Sequence, residues 1–292
     1  MINYLIYKLG EFVALAVPLK IGYKIAAFFS DLHYFFAKLD RAEVTSNLKT
    51  IFPEKTDKEI AKIRITIFRN FAKYLVDFFR YPLVNKDYID KNVRVANQHY
   101  FDEALARGKG VIVLTAHIGN WELGGVTIGL LGYPFWVVAL AHKNKKIDKF
   151  FNKRRESMKM KVIPFAKAVR QCFKVLKENQ MVALVGDKDY TKEGGVIVDF
   201  FGKPTSLPQG PAAFALMTGA VILPGFMLRE PDDSFTLYME KPIEPAQGKD
   251  YKNENDLKEM VDRYKVIMED YIRKYPDQWY MFREFRVKND KK

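Results

Sequence analysis

The sequence predicts an α/β protein: a three-layer αβα core on a mainly parallel sheet, preceded by an N-terminal helical segment. Three observations lead there. From about 109 to 240, short apolar runs alternate with helical stretches, the pattern of strands joined by crossover helices. Residues 2–38 are densely apolar and aromatic, yet charges interrupt them at short intervals. A last amphipathic run fills 252–275. The 292 residues divide near 85, into a helical segment over 1–85 and an αβα domain over 86–292.

The N-terminal segment comes first. Lys8, Glu11, Lys20, Lys24 and Asp31 break its apolar pattern, so the longest clean stretch lies only between Glu11 and Lys20. A spanning helix needs about 20 apolar residues, and each charge at the bilayer centre costs about 2.5–3.5 kcal/mol on insertion scales. Pro18 also bends any helix running through it. Two short aromatic-rich helices lying on one leaflet are therefore favoured as a membrane-docking segment. The competing reading is a pair of buried core helices. No basic stretch ahead of a clean apolar run and small-residue cleavage site marks a signal peptide.

From 43 to 85 the sequence is helical. Ile60, Ile63, Ile65, Ile67, Phe68, Phe71, Leu75, Phe78 and Phe79 recur at roughly helical spacing, and Thr56 with Glu59 forms a capping box ahead of them. The strands expected next are Val111–Ala116, Phe135–Leu140, Lys161–Pro164, Met181–Gly186, Val196–Phe200, Ala220–Met227 and Phe235–Glu240. Helices are expected over 121–130, 145–160, 166–178, 209–218 and 252–275, and a frayed basic tail over Lys288–Lys292.

Composition narrows the function. Lys and Arg number 48 against 35 Asp and Glu, a net charge of +13, which calls for a negatively charged partner. Thirteen basic residues face two acids between 143 and 177, and anionic headgroups attract each such residue by about 1 kcal/mol. An anionic membrane surface or an acidic carrier therefore suits this stretch. Nucleic acid does not, because no nucleic-acid module is recognisable. The single cysteine, Cys172, excludes an internal disulfide and a Cys-rich zinc site. No phosphate loop, GxSxG elbow, HExxH or dinucleotide glycine motif occurs, and neither a metal nor a resident cofactor is expected.

His117 is the outstanding candidate among four histidines. It follows an apolar strand and precedes Gly119-Asn120, a turn and helix cap, so it lies at the C-terminal edge of the sheet, where open α/β sheets bind ligands. Glu122 falls in the first helical turn. The intervening loop lets it reach the imidazole, fix its tautomer and leave the other nitrogen to take a proton from a hydroxyl. The bland alternative is that Glu122 only favours the helix dipole.

The stretch Thr115-Ala116-His117-Ile118-Gly119-Asn120-Trp121-Glu122 resembles the His-x4-acid block of the late, lauroyl/myristoyl-type acyltransferases of lipid A synthesis, and of the related phosphatidylinositol mannoside acyltransferases. Further blocks follow in the family's order: Asn47-Leu48 with Phe52-Pro53-Glu54, Arg155, Gly186-Asp187-Lys188-Asp189, Pro208-Gln209-Gly210-Pro211 with Thr218-Gly219-Ala220, and Pro276-Asp277-Gln278-Trp279 with Arg283. The resemblance covers 44–283 and implies a glycerolipid-acyltransferase-like core. It implies transfer of a fatty acyl chain from acyl carrier protein or coenzyme A to a glycolipid hydroxyl, most readily on a lipid A precursor, at the cytoplasmic face of the inner membrane. By that analogy His117 is the general base and Glu122 orients it. Asn120, Arg155, Asp187, Asp189, Gln209 and Arg283 lie at the substrate. Backbone N–H groups near Gly119-Asn120, or Arg155, are the candidate oxyanion donors.

Other readings compete. The acceptor is another glycolipid such as a phosphatidylinositol mannoside, or the chain binds lipid without catalysis. Remotely, Asp187-x-Asp189-x-Thr191 with Asp232-Asp233 matches the nucleophile loop of haloacid-dehalogenase-type phosphotransferases.

Overall fold

A computed structural model describes residues 2–158, 160–189 and 195–287. Thr191 and the tail Lys288–Lys292 lie outside the described residues.

The chain opens with four helices, α1 (Ile2–Ala16), α2 (Leu19–Phe36), α3 (Lys38–Ile51) and α4 (Asp57–Phe79). Pro18 separates the first two. Thr56 caps α4 as the spacing predicts: its hydroxyl accepts from Glu59 N at 3.3 Å, and the Glu59 carboxylate accepts from Thr56 N at 2.9 Å. The short helix α5 (Lys86–Asn92) and strand β1 (Val93–Ala96) lead into α6 (His99–Ala106).

The alternating region follows: β2 (Val111–Thr115), α7 (Trp121–Leu130), β3 (Phe135–Ala139), α8 (Lys145–Ser157), β4 (Lys161–Pro164), α9 (Ala168–Lys177) and β5 (Met181–Val185). A hairpin of β6 (Val196–Phe200) and β7 (Lys203–Leu207) comes next. After it come α10 (Gly210–Thr218), β8 (Val221–Arg229), β9 (Phe235–Met239) and α11 (Glu254–Lys274).

Seven strands form one sheet in the order β1-β9-β8-β2-β5-β3-β4. Every neighbouring pair is parallel except β8 and β9. The central strands β2 and β8 are almost wholly buried, which is why they read as unbroken apolar runs rather than alternating ones. Alternate side chains of β2 enter two separate cores, Ile112 and Leu114 on one face, Val111 and Val113 on the other. Helices α3, α9, α10 and α11 cover the first face; α1, α6, α7 and α8 cover the second. Cys172 is buried in the first core, and burial pushes its thiol up to about 12, as suits a packing residue.

Two strands escaped the sequence reading. β1 is four residues long, lies at the sheet edge and carries an exposed Arg94; β7 reads Lys-Pro-Thr-Ser-Leu. Neither offers the apolar run that marks a buried strand. The helix expected over 145–160 stops at Ser157.

Among the described residues, no helix is long and apolar enough to cross a membrane. Gly10 and Gly22 let α1 and α2 lie close on α4: a Cβ at Gly10 would stand 2.9 Å from the Phe79 ring, and one at Gly22 3.4 Å from Val76. The opposite side of these helices leaves Leu5, Leu9, Phe12, Phe28, Phe35 and Phe36 exposed.

Candidate active site

Strand register sets the site. Thr115 of β2 pairs with Val185 of β5, so the residues two positions beyond each strand, His117 and Asp187, meet at the C-terminal edge of the sheet. His117 Nδ1 lies 2.7 Å from Asp187 Oδ1, and His117 N donates to Oδ2 at 3.0 Å. Trp279 Nε1 donates to the same Oδ2 at 2.9 Å. The Asp187 side chain has no exposure, whereas that of His117 is 22% exposed. Burial alone would raise the Asp187 carboxyl. The adjoining His117 imidazole and the three N–H donors outweigh it and hold the group below the usual carboxylate range. An ionised carboxylate only accepts, so the imidazole hydrogen sits on Nδ1, and Nε2 is the basic nitrogen.

The expected His117–Glu122 pair is not what Nδ1 meets. Glu122, in the first turn of α7, faces α8, where Arg155 Nε donates to its two oxygens at 3.1 and 3.0 Å and the terminal nitrogen adds a further bond. Both side chains are nearly buried. Burial opposes the Arg155 charge, but the Glu122 carboxylate prevails and keeps the guanidinium above its ordinary range. Five residues of spacing do not join the two ends because the loop turns His117 toward β5 while the helix turns Glu122 toward α8.

The loop between them is pinned along its length. His117 O accepts from Tyr280 N at 2.8 Å, Gly119 N donates to Gln278 O at 2.9 Å, and Asn120 N donates to Met227 O at 2.8 Å. The last two N–H groups were candidate oxyanion donors; both are occupied, as is Arg155. Gly119 has φ of 60°, and a Cβ there would fall 2.0 Å from Met227 O. Gly119→Ala is expected to displace the loop and reduce activity at least tenfold with loss of stability, as checked by a thermal melt beside a turnover assay.

Asn120 is 1% exposed and does structural work. Its Oδ1 caps α7 by accepting from Leu123 N at 3.1 Å and takes a bond from Tyr81 OH at 3.2 Å; its Nδ2 donates to Asp77 at 2.9 Å. Asp77 also holds Arg229 and the hydroxyl of Tyr23 from α2. This buried cluster ties the N-terminal helices to the start of α7. Burial opposes the Arg229 charge, and Asp77 overrides it, holding Arg229 above its usual range.

The other three expected substrate residues make these contacts. Asp189 takes a bond from Ser206 Oγ at 3.3 Å, Gln209 stands exposed ahead of α10, and the exposed Arg283 reaches Asp40. Asp77, Arg229 and Trp279 were not singled out as site residues from the sequence. Trp279 sat within a quoted block, but nothing in its spacing announces a bond to Asp187. The phosphotransferase reading needs Asp187 as an attacking group; here it is 1% exposed and bonded to His117 and Trp279. Asp233, from its downstream pair, is tied to Lys73 and Arg229.

Residues 2–286 match the family described as bacterial lipid A biosynthesis acyltransferase. The chain belongs to that family. Among its relatives, a phosphatidylinositol mannoside acyltransferase of Mycobacterium tuberculosis is 34% identical over 53% of this chain and 51% of that protein. This chain thus spans about half the length of the mannoside relatives it matches. A lipid A biosynthesis palmitoleoyltransferase of Escherichia coli is 23% identical over 87% of this chain and 81% of the other. The solved 1-acyl-sn-glycerophosphate acyltransferase of Thermotoga maritima gives a TM-score of 0.40 at 13% identity, covering 87% of this chain and 98% of that one.

Proposed function

We propose that this family member moves a fatty acyl chain from a thioester, on acyl carrier protein or coenzyme A, to a hydroxyl of a glycolipid. The His117–Asp187 pair carries the reading. Nε2 takes the proton of the acceptor hydroxyl as its oxygen attacks the thioester carbonyl. Asp187 steadies the imidazolium that forms, as the buried acid does in a catalytic triad. The tetrahedral adduct collapses, the C–S bond breaks, and the thiolate leaves; His117 returns its proton to the sulfur. No acyl-enzyme is needed. Glu122 and Arg155 act one step away, by holding α7 against α8.

A lipid A precursor is the leading acceptor, on the strength of the family. A mannolipid is the second reading, favoured by the 34% identity to the mannoside enzyme. The exposed apolar stripes of α1 and α2 suit a lipid surface, so the chain docks on the cytoplasmic leaflet of the inner membrane as a peripheral or monotopic protein. The aromatic run Phe282, Phe71, Tyr280 and Trp121 extends from this helical side to His117, whose ring lies 5.3 Å from that of Trp121.

The test offers radiolabelled acyl carrier protein and coenzyme A thioesters to the purified protein with lipid A precursors and a phosphatidylinositol mannoside. Wild type is expected to label one acceptor, and His117→Ala to lose about 10²–10⁴-fold of the rate. Transfer to no acceptor, or full activity in His117→Ala, overturns the proposal.

A further inference from the structure

Helices α1 and α8 enclose a groove of about 490 Å³ that the reaction above does not use. On α8, Lys146, Lys149, Phe150, Lys153 and Arg154 recur at three- and four-residue steps and so share one face. On α1, Tyr4, Lys8 and Glu11 face them across the groove. Glu11 is the single acid in the lining, 4% exposed, and is bound by both Lys8 and Arg154. That leaves Lys146, Lys149 and Lys153 exposed, with no carboxylate within ion-pair distance among the described residues. Three like charges on one helical face repel each other, and an anion in the groove relieves that repulsion. Aromatic rings form part of the lining: Lys8 Nζ lies 5.6 Å from the Phe150 centroid and Lys146 Nζ 6.0 Å from that of Tyr4.

What lies beside the groove decides the occupant. Tyr4, Lys8 and Glu11 form one stripe of α1. The exposed Leu5, Leu9 and Phe12 form the next, one residue on and about 100° around the helix. Cationic and apolar stripes side by side match a molecule with a phosphate at one end and hydrocarbon at the other.

We infer that this groove binds the phosphate headgroup of an anionic phospholipid, whose chains lie against the apolar stripe of α1. The inference rests on the docking reading above and adds a defined contact to it. Bound lipid fixes the rotation of α1 on the leaflet and, through α8 and its Arg155–Glu122 pair, the orientation of the start of α7 to the surface.

Co-sedimentation with vesicles tests it, using phosphatidylcholine alone and phosphatidylcholine mixed with phosphatidylglycerol. Wild type is expected to bind both and to prefer the anionic vesicles. Lys146→Gln/Lys149→Gln/Lys153→Gln should reduce binding to the anionic vesicles by about 10–100-fold and leave binding to the neutral ones unchanged. Lys167→Gln/Lys174→Gln/Lys177→Gln removes the same charge from exposed positions away from the groove and should change binding little. Lys149→Glu alone gives a second reading with a single substitution. Equal losses in the two triple variants would mean general surface charge, and sink the groove. So would wild-type binding that ignores lipid charge. An unchanged vesicle preference with a raised KM for acyl carrier protein would hand the groove to a protein partner. No wild-type binding to any vesicle would overturn the docking reading as well.

Discussion

Asp187→Asn is expected to lower kcat for acyl transfer by about 10²–10⁴-fold with little change in KM. The amide keeps the size and one acceptor of the carboxylate, and Trp279 retains a partner. What it loses is the negative charge 2.7 Å from Nδ1, which selects the tautomer and stabilises the imidazolium. Glu122→Gln is the control. It weakens the Arg155 bonds and is expected to lower the melting temperature more than kcat. The opposite pattern, with Glu122→Gln inactive and Asp187→Asn active, would return the role to Glu122. The same variant has a pH signature. Folding holds the Asp187 carboxyl below its unfolded value, so the native state binds fewer protons there than the unfolded chain. Its stabilisation is complete well above the unfolded pKa of about 3.9 and is lost as pH falls through that value and below. The stability gap between wild type and Asp187→Asn should therefore be widest at neutral pH and narrow toward pH 3, as read from urea melts across that range.

Arg229→Met is expected to destabilise the fold by about 3–5 kcal/mol, a fall in Tm on the order of 10 °C. The substitution leaves the carboxyl of Asp77, 4% exposed and already raised by burial, without its cation, so it must stay desolvated or take up a proton. It also removes the guanidinium from Tyr23 OH, 3.0 Å away. Asp77→Leu/Arg229→Met should recover part of the loss, because no lone buried charge remains. Scanning calorimetry of the three proteins decides it. A double variant no more stable than Arg229→Met would place the cost in lost hydrogen bonds to Tyr23 and Asn120 rather than in the stranded charge.

The sheet was legible because its central strands are buried on both faces and so spell unbroken apolar runs. Helix starts were legible at α4 and α7, where Thr56 and Asn120 cap their own backbone; Asn85 caps the short α5 in the same way, yet that helix went unread. Both signals are local. His117 was legible for the same reason, standing at the junction of a strand and a cap. Its acid was not. Asp187 lies 70 residues away, and only the pairing of Thr115 with Val185 brings the two together. A parallel pair carries no turn between its strands to give away the register. Glu122, close in sequence and of the right chemistry, attracted a role that strand pairing gives to a distant residue. Asn120, placed at the substrate by the resemblance and read from the sequence as a cap, is found holding the helix it begins.

The last stitches over His117 come from far down the chain. Tyr280, Gln278 and Trp279 hold the carbonyl of His117, the amide of Gly119 and the carboxylate of Asp187. A ribosome that has released β2 and β5 has made both halves of the pair, yet these three bonds wait until residues 278–280 have emerged. A chain truncated before residue 278 would lack all three of these bonds.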